Sequence, residues 1–366
     1  MSNNDESTSR WRLDWPTSAG GRIARGQLKY CPEDFQVDED LQGVPAEASP
    51  EDITGDGEHL CLRLRKTGDN TEFVARELAS LAGCRSFDVG FCGLKDRHAV
   101  TSQWFSLYRP GKASEDSEFI ASVAERWQVL SAFRSSRKLR RGDHQGNRFV
   151  IVLRDVVGTR VDIDQALARL KEQGAPNYFG PQRFGHGGGN LDQAAAMDPS
   201  AMDSRSRSGG RGRKGKNRAG REASKNVLYF SAARSWLFNE VLAHRVAEGS
   251  WLTPMDGEPG QIAGESVPTG PLWGDGGTVA EGVQGELEHR VVEQAPDLVR
   301  VFSTTRMKPE RRALAVSPGE LVWHWQDDNS LRLEFSLAPG QYATTLLNDV
   351  FELEDMSLGR HNKQQG

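Results

Sequence analysis

The sequence predicts an α+β protein, and three observations lead there. Segments of two-residue period recur, as in residues 59–65, where Leu60, Leu62 and Leu64 share one face, and in QWFSLY at 103–108. Between such segments lie stretches of helical period closed by glycine, such as Val74, Leu78, Leu81 and Ala82 ahead of Gly83. Near the end, ELVWHW and SLRLEFSL flank QDDN in the manner of a β-hairpin.

The 366 residues can bury a sizeable core and suggest two domains, or one large domain with an insertion. With 37% hydrophobic residues, 9 Trp and 15 Phe the composition is globular, and 39 Gly imply many turns. No apolar run approaches a membrane span, and the N-terminus lacks a basic segment followed by an apolar one. A cytoplasmic protein without membrane contact is therefore expected. Cys31, Cys61, Cys84 and Cys92 form no CxxC pair, and the eight histidines do not gather at zinc-ligand spacings, so buried free thiols and no metal are expected. A net charge of −5 does not mark a nucleic-acid binder, but an average over the chain hides patches.

Taken in order, residues 1–20 read as a loose polar arm anchored only by Trp11 and Trp15. Leu28, Phe35 and Val37 then alternate with charged residues around Pro32, a pattern that exposes Lys29, Glu33 and Asp34. An acidic loop at 47–58 precedes the strand at 59–65, whose one face rests on a core. The following helix is capped by Asn70 or Asp69. VGF at 89–91 and QWFSLY at 103–108 are strands, so FCGLKDRHAV places Asp96, between Lys95 and Arg97, in their connection. A carboxylate on a loop carried by a sheet suits catalysis; the same pattern fits a solvated turn.

The next stretch is basic. Arg134, Arg137, Lys138, Arg140, Arg141 and Arg148 surround GDHQGN, which includes His144, and form either a phosphate-binding strip or a solvated face. After the strand FVIVL, a helix at 164–173 has Asp162 as its candidate cap, Ile163, Leu167 and Leu170 inward, and Gly174 at its end. PNYFGPQRFGHGGGN at 176–190 is dense in aromatics, glycines and amides. Tyr178, Phe179 and Phe184 suit base stacking and Asn177, Gln182 and Arg183 suit edge reading, while the alternative is a packed turn. Residues 203–225 hold no apolar residue larger than alanine and predict a mobile basic loop, either an RNA tether or a solubilising linker. A long helix follows, with Leu237, Val241 and Leu242 inward and Gly249 at its end. The Gly-, Pro- and acid-rich region 250–315 contains a helix near 287–292. Beyond the hairpin, APGQYATTLLNDVF is a turn running into an amphipathic helix with Ala343, Leu346, Leu347 and Val350 on one face.

LKYCPEDFQV at 28–37, GDGEHLCLRLRKTGDNTEFVA at 55–75, GLKDRHAVTSQWF at 93–105, RRGDHQGNRF at 140–149, NYFGPQRFG at 177–185, SAARSWLFN at 231–239 and APGQYATTLLNDV at 338–350 together resemble the tRNA pseudouridine synthase D (TruD) family, over about residues 25–352. The resemblance implies a pseudouridine-synthase fold, a mixed and largely antiparallel sheet flanked by helices. The catalytic domain would comprise residues 21–202 and 316–366, with an inserted α/β domain at 203–315. It implies isomerisation of a uridine in tRNA, in known cases uridine 13, to pseudouridine without cofactor or metal.

Asp96 matches the family's catalytic aspartate and would attack or deprotonate the sugar; Lys29 matches the lysine that keeps it ionised. Asn177 matches the asparagine that orients the aspartate, and Phe179 and Phe35 would help to bind the base. Lys95, Arg97 and His98 beside Asp96, Arg183 in NYFGPQRFG, and Arg140, Arg141 and Arg148 in the basic strip are the expected RNA-binding residues. Tyr342 is a departure: the family commonly has phenylalanine there, whereas other pseudouridine synthases place tyrosine in the active site. Either ring can stack on a flipped uracil. The alternatives are a non-catalytic RNA-binding protein, which has no use for Asp96, Lys29 and Asn177 together, and a nucleoside hydrolase, which wants a second carboxylate that the Asp96 loop lacks.

Overall fold

The computed structural model describes residues 10–44, 49–197, 213–259, 266–303 and 307–358, with 213–225 described by their backbone alone. The chain divides into two compact units. A sheet unit comprises Ile23–Lys171, Pro318–Ala343 and Val350–Gly366, and a helical unit Met1–Arg22, Glu172–Ser317 and Thr344–Asp349. The described residues 172–197 and 10–20, expected in the catalytic domain and in a loose arm, group with the helical unit.

The sheet unit contains β1 (Ala24–Leu28), β2 (Phe35–Asp40), β3 (His59–Thr67), β4 (Val89–Phe91), β5 (Val100–Tyr108), β6 (Gln128–Ser135), β7 (Gly146–Val157), the hairpin strands β8 (Gly319–Trp325) and β9 (Leu331–Leu337), and β10 (Phe351–Asp355). They form one ten-stranded sheet in the order β8-β9-β7-β2-β5-β3-β6, with β1 bridging β7 and β10 and with β4 on β5. Among the described strand pairs, only β2 with β5 and β1 with β10 run parallel. The architecture is thus the mixed, largely antiparallel one expected.

Leu60, Leu62 and Leu64 are fully buried against helices α1 (Thr71–Ala82) and α2 (Asp116–Ala124) through Val74, Leu78, Phe119 and Val123. The other face of β3 is covered as well, since Cys61 packs with Trp104, Cys92 and Leu139. The expected half-exposed strand is therefore central, and alternation alone did not reveal its second core. Burial pushes the thiols of Cys61 and Cys92 up to about 12. At the start of α1 the Asn70 carboxamide accepts the Phe73 N–H at 2.8 Å, and Gly83, at φ 64°, ends the helix in the left-handed conformation that glycine adopts without a Cβ clash. Helix α3 (Arg160–Gln173) begins ahead of Asp162, which lies inside it and is not its cap.

The helical unit contains α4 (Gly189–Ala195), α5 (Arg213–Ala247), α6 (Gly282–Val292), α7 (Pro296–Arg300) and two short ladders, Ala175–Pro176 with Ala315–Val316 and Thr269–Leu272 with Glu310–Ala313. Phe184, Leu237, Phe238, Val241 and Leu242 centre its core. No helix among the described residues is long and apolar enough to cross a membrane.

Three expectations are corrected. Residues 10–20 are docked, because Trp11 and Trp15 are buried in this core and their indole N–H groups donate to Asp192 and Glu240, each at 2.8 Å. Residues 213–225 of the predicted basic loop belong to α5, and 203–212 lie outside the described residues. The final amphipathic segment forms only the short helix α8 (Ala343–Leu347) before the chain enters β10, which pairs with β1 from Ala24↔Phe351 to Leu28↔Asp355.

Candidate active site

Asp96 sits in the connection between β4 and β5, and that connection is pinned along its length. Cys92 O accepts the Gly142 N–H at 2.9 Å, and Gly93 O accepts the Gln103 amide at 2.5 Å. The Thr71 hydroxyl, at the start of α1, accepts the Lys95 N–H and donates to Gln103, each at 2.9 Å. Arg97 O accepts the Gly68 N–H at 3.0 Å. With Thr71 and Gln103 buried, these bonds hold the loop in one conformation and give Asp96 a fixed position.

One carboxylate oxygen of Asp96 accepts the His98 N–H at 2.9 Å; the other meets the Lys29 ammonium at 2.5 Å. The Lys29 side chain is 10% exposed and that of Asp96 35%, so the pair is shielded at the lysine and open at the aspartate. Burial pushes the Asp96 carboxyl up, but the Lys29 hydrogen bond, the His98 amide and the Lys29 charge outweigh it, and the carboxyl ends below its ordinary value. An ionised, partly open carboxylate beside a fixed cation can act as a nucleophile or as a base.

Lys29 follows β1 at φ 55°, a left-handed backbone that costs a side-chain-bearing residue about 1 kcal/mol and persists only where its surroundings impose it. Its ammonium lies 5.0 Å from the centre of the Phe35 ring and 3.3 Å from Asp355. Neither Lys29 nor Asp34 is the exposed edge residue that the pattern suggested. Asp34 is buried in a bidentate pair with Arg154, at 2.7 Å to one Nη.

Lys95 is corrected too. Its ammonium is buried against Glu39 at 2.5 Å, and Glu39 also accepts the Trp104 N–H at 3.1 Å, so Lys95 braces the loop and is withdrawn from any phosphate. Arg134 likewise leaves the basic strip, being buried on Asp116 at 2.6 Å. Arg137, Arg140 and Arg141 stay exposed, and exposed Arg148 meets Glu334 at 3.1 Å. The Arg97 guanidinium donates to the His98 ring at 3.0 Å. Tyr342, just ahead of α8, is 43% exposed.

Asn177, Phe179 and Arg183 belong to the helical unit. There the Asn177 amide donates to Ala313 O at 2.9 Å and its carbonyl accepts the Arg312 guanidinium at 2.6 Å. That guanidinium also lies 4.2 Å over the Phe179 ring, which packs edge-on against Phe238, while Arg183 stands 5.4 Å from the same ring. Buried Asn239 holds the Phe179 backbone with bonds to both its N–H and its carbonyl, each 2.9 Å.

Sequence reasoning missed Asp355, Glu39, Arg312 and Lys66. Lys66 is buried, donates to Asp69 O at 2.7 Å, and is pushed down to about 8 by burial, which outweighs the opposing pull of Asp69 and Asp96. Asp355 had a legible signal in the alternation of FELED.

A sequence profile described as tRNA pseudouridine synthase D (TruD) matches residues 18–191 and 261–350. A tRNA pseudouridine synthase D of Marinobacter nauticus is 60% identical over 359 residues, covering 97% of this chain and 99% of the relative. One from Methylococcus capsulatus is 38% identical over 364 residues, covering 93% and 95%. The crystal structure of a Methanosarcina mazei protein assigned as TruD matches with a TM-score of 0.62 at 20% identity, over 90% of this chain and 94% of that one, so the two share a fold. On the extent of the profile and the near-complete alignment with the Marinobacter relative, the chain belongs to the tRNA pseudouridine synthase D family.

Proposed function

We propose that this protein isomerises a uridine of tRNA, by resemblance uridine 13, to pseudouridine in the cytoplasm, with Asp96 as the catalytic carboxylate. The observation that carries this reading is the Asp96–Lys29 pair at 2.5 Å on a loop pinned from α1 and β5. The reaction exchanges the N1–C1′ bond for a C5–C1′ bond; C5 loses a proton and N1 gains one, so no cofactor is consumed. Asp96 either bonds C1′ or removes the C2′ proton, and both roles need the ionised form that Lys29 maintains. In this reading Phe35, Arg97 and His98 contact the substrate, and Tyr342 offers a ring for the extruded base. Extrusion costs a few kcal/mol, which phosphate contacts from exposed Arg140, Arg141 and Arg148 offset.

Nucleoside hydrolysis is disfavoured by how the second carboxylate is held. Asp355 accepts hydrogen bonds from Lys29 and Ser357 and is engaged by them instead of standing free toward a leaving group. The test is to map pseudouridine in tRNA from cells with the protein, without it, and with Asp96→Ala. Loss of one site in both deficient strains is expected. An unchanged map would overturn the assignment, and free uracil released by the purified protein would favour hydrolysis.

A further inference from the structure

The Lys29 ammonium serves two carboxylates, and the sheet is built to bring the second one there. β1 and β10 run parallel with Leu28 opposite Asp355, and the Met356 N–H donates to Leu28 O at 2.9 Å, locking the two strand ends side by side. At that point Lys29 turns out of the strand through its left-handed backbone. Ser357 then donates twice to one oxygen of Asp355, from its N–H at 2.9 Å and its hydroxyl at 2.5 Å, which leaves the other oxygen for Lys29 at 3.3 Å. Every described partner of the Asp355 carboxylate is thus a donor.

The need for a second charge follows from the chemistry. In one role an Asp96 oxygen bonds C1′ while the N1–C1′ electron pair leaves with the uracil. In the other, Asp96 takes the C2′ proton, the C2′–H pair becomes the C1′=C2′ bond, and the N1–C1′ pair again leaves with the uracil. Either way the Asp96 carboxylate becomes neutral, and a shielded ammonium loses its counter-charge in mid-reaction. We infer that Asp355 is a positioning residue of this centre: it holds the Lys29 ammonium at Asp96 and remains its counter-ion while Asp96 is neutral. The inference rests on the catalytic reading of Asp96. His98 and Lys66 also act electrostatically on Asp96, and both are common to all the variants below.

The experiment measures single-turnover pseudouridine formation on tRNA against pH, together with tRNA affinity, for the wild type, Asp355→Asn, Asp355→Glu and Asp96→Ala. Asp355→Asn is expected to slow turnover at least tenfold with tRNA affinity unchanged. Asp355→Glu, which restores the carboxylate, should recover turnover. A rate within twofold of wild type for Asp355→Asn, or no recovery in Asp355→Glu, overturns the inference. If Asp355→Asn does not fold, Ser357→Ala takes its place. A severalfold slower turnover at wild-type affinity supports the inference, and wild-type turnover overturns it. Activity in Asp96→Ala would instead defeat the catalytic reading itself, whatever the Asp355 variants do.

Discussion

Two ion-pair clusters, one in each unit, show how differently a fold can treat charge. In the helical unit Arg311 meets both oxygens of fully buried Glu288, at 2.7 and 2.9 Å, and donates to Thr269 O at 2.8 Å. Gln284 bonds the same glutamate at 2.6 Å and accepts from buried Arg245, also at 2.6 Å. The members of this cluster are enclosed and bonded to one another. In the sheet unit Asp96 is bonded as well, yet a third of its side chain stays open, and its partner Lys29 is held on a strained backbone. A closed, satisfied cluster specifies a packing arrangement; an open carboxylate held charged by a fixed cation is available to a substrate.

Cutting each cluster should separate the two roles. Asp96→Ala is expected to lower pseudouridine formation by about a thousandfold or more while changing unfolding free energy by no more than about 1 kcal/mol, since the pair is partly solvated and Lys29 keeps Asp355. Arg311→Ala should do the reverse and destabilise the fold by about 3–5 kcal/mol in denaturant titration, because Glu288 is left buried without its cation.

Lys29→Met removes the hydrogen bond and charge that counter burial at Asp96. The Asp96 carboxyl then rises, and the acid limb of kcat/KM should move to higher pH with a fall in turnover of about a hundredfold; a limb at the wild-type position would break the comparison. Lys66 gives a smaller effect on stability. Its folded value of about 8 lies below the ordinary 10.5, so between these pH values the unfolded chain still binds the proton that the folded chain has released. Stability should therefore gain a rising contribution across pH 8 to 10.5, and Lys66→Met should abolish it in melting curves. The smallest effect is expected at Tyr342, whose exposed ring can stack without its hydroxyl. Tyr342→Phe should turn over like wild type, and a clear loss would assign the hydroxyl a part in proton movement at C5.

Much of the sheet unit was legible because its signals are local. The alternation of Leu60, Leu62 and Leu64, the Asn70 cap, Gly83 and the hairpin around QDDN each rest on backbone periods or turn chemistry within a few residues. The loop bearing Asp96 was placed between the right two strands for the same reason, although β5 begins at Val100, ahead of the expected Gln103. What escaped were partners remote in sequence. Lys95 read as a free cation because Glu39 lies on β2, Arg134 because Asp116 lies on α2, and Asp355 because β10 pairs in parallel with the first strand of the sheet.

The sequence by itself determined the α+β class, the placing of Asp96 between two strands and the motifs that resemble the family. Tertiary structure decided which charges are available. A side chain's type sets its charge, but whether that charge is neutralised, buried or open depends on long-range packing. That packing brings Lys29 to Asp96 and Asp355 while closing Lys95 against Glu39.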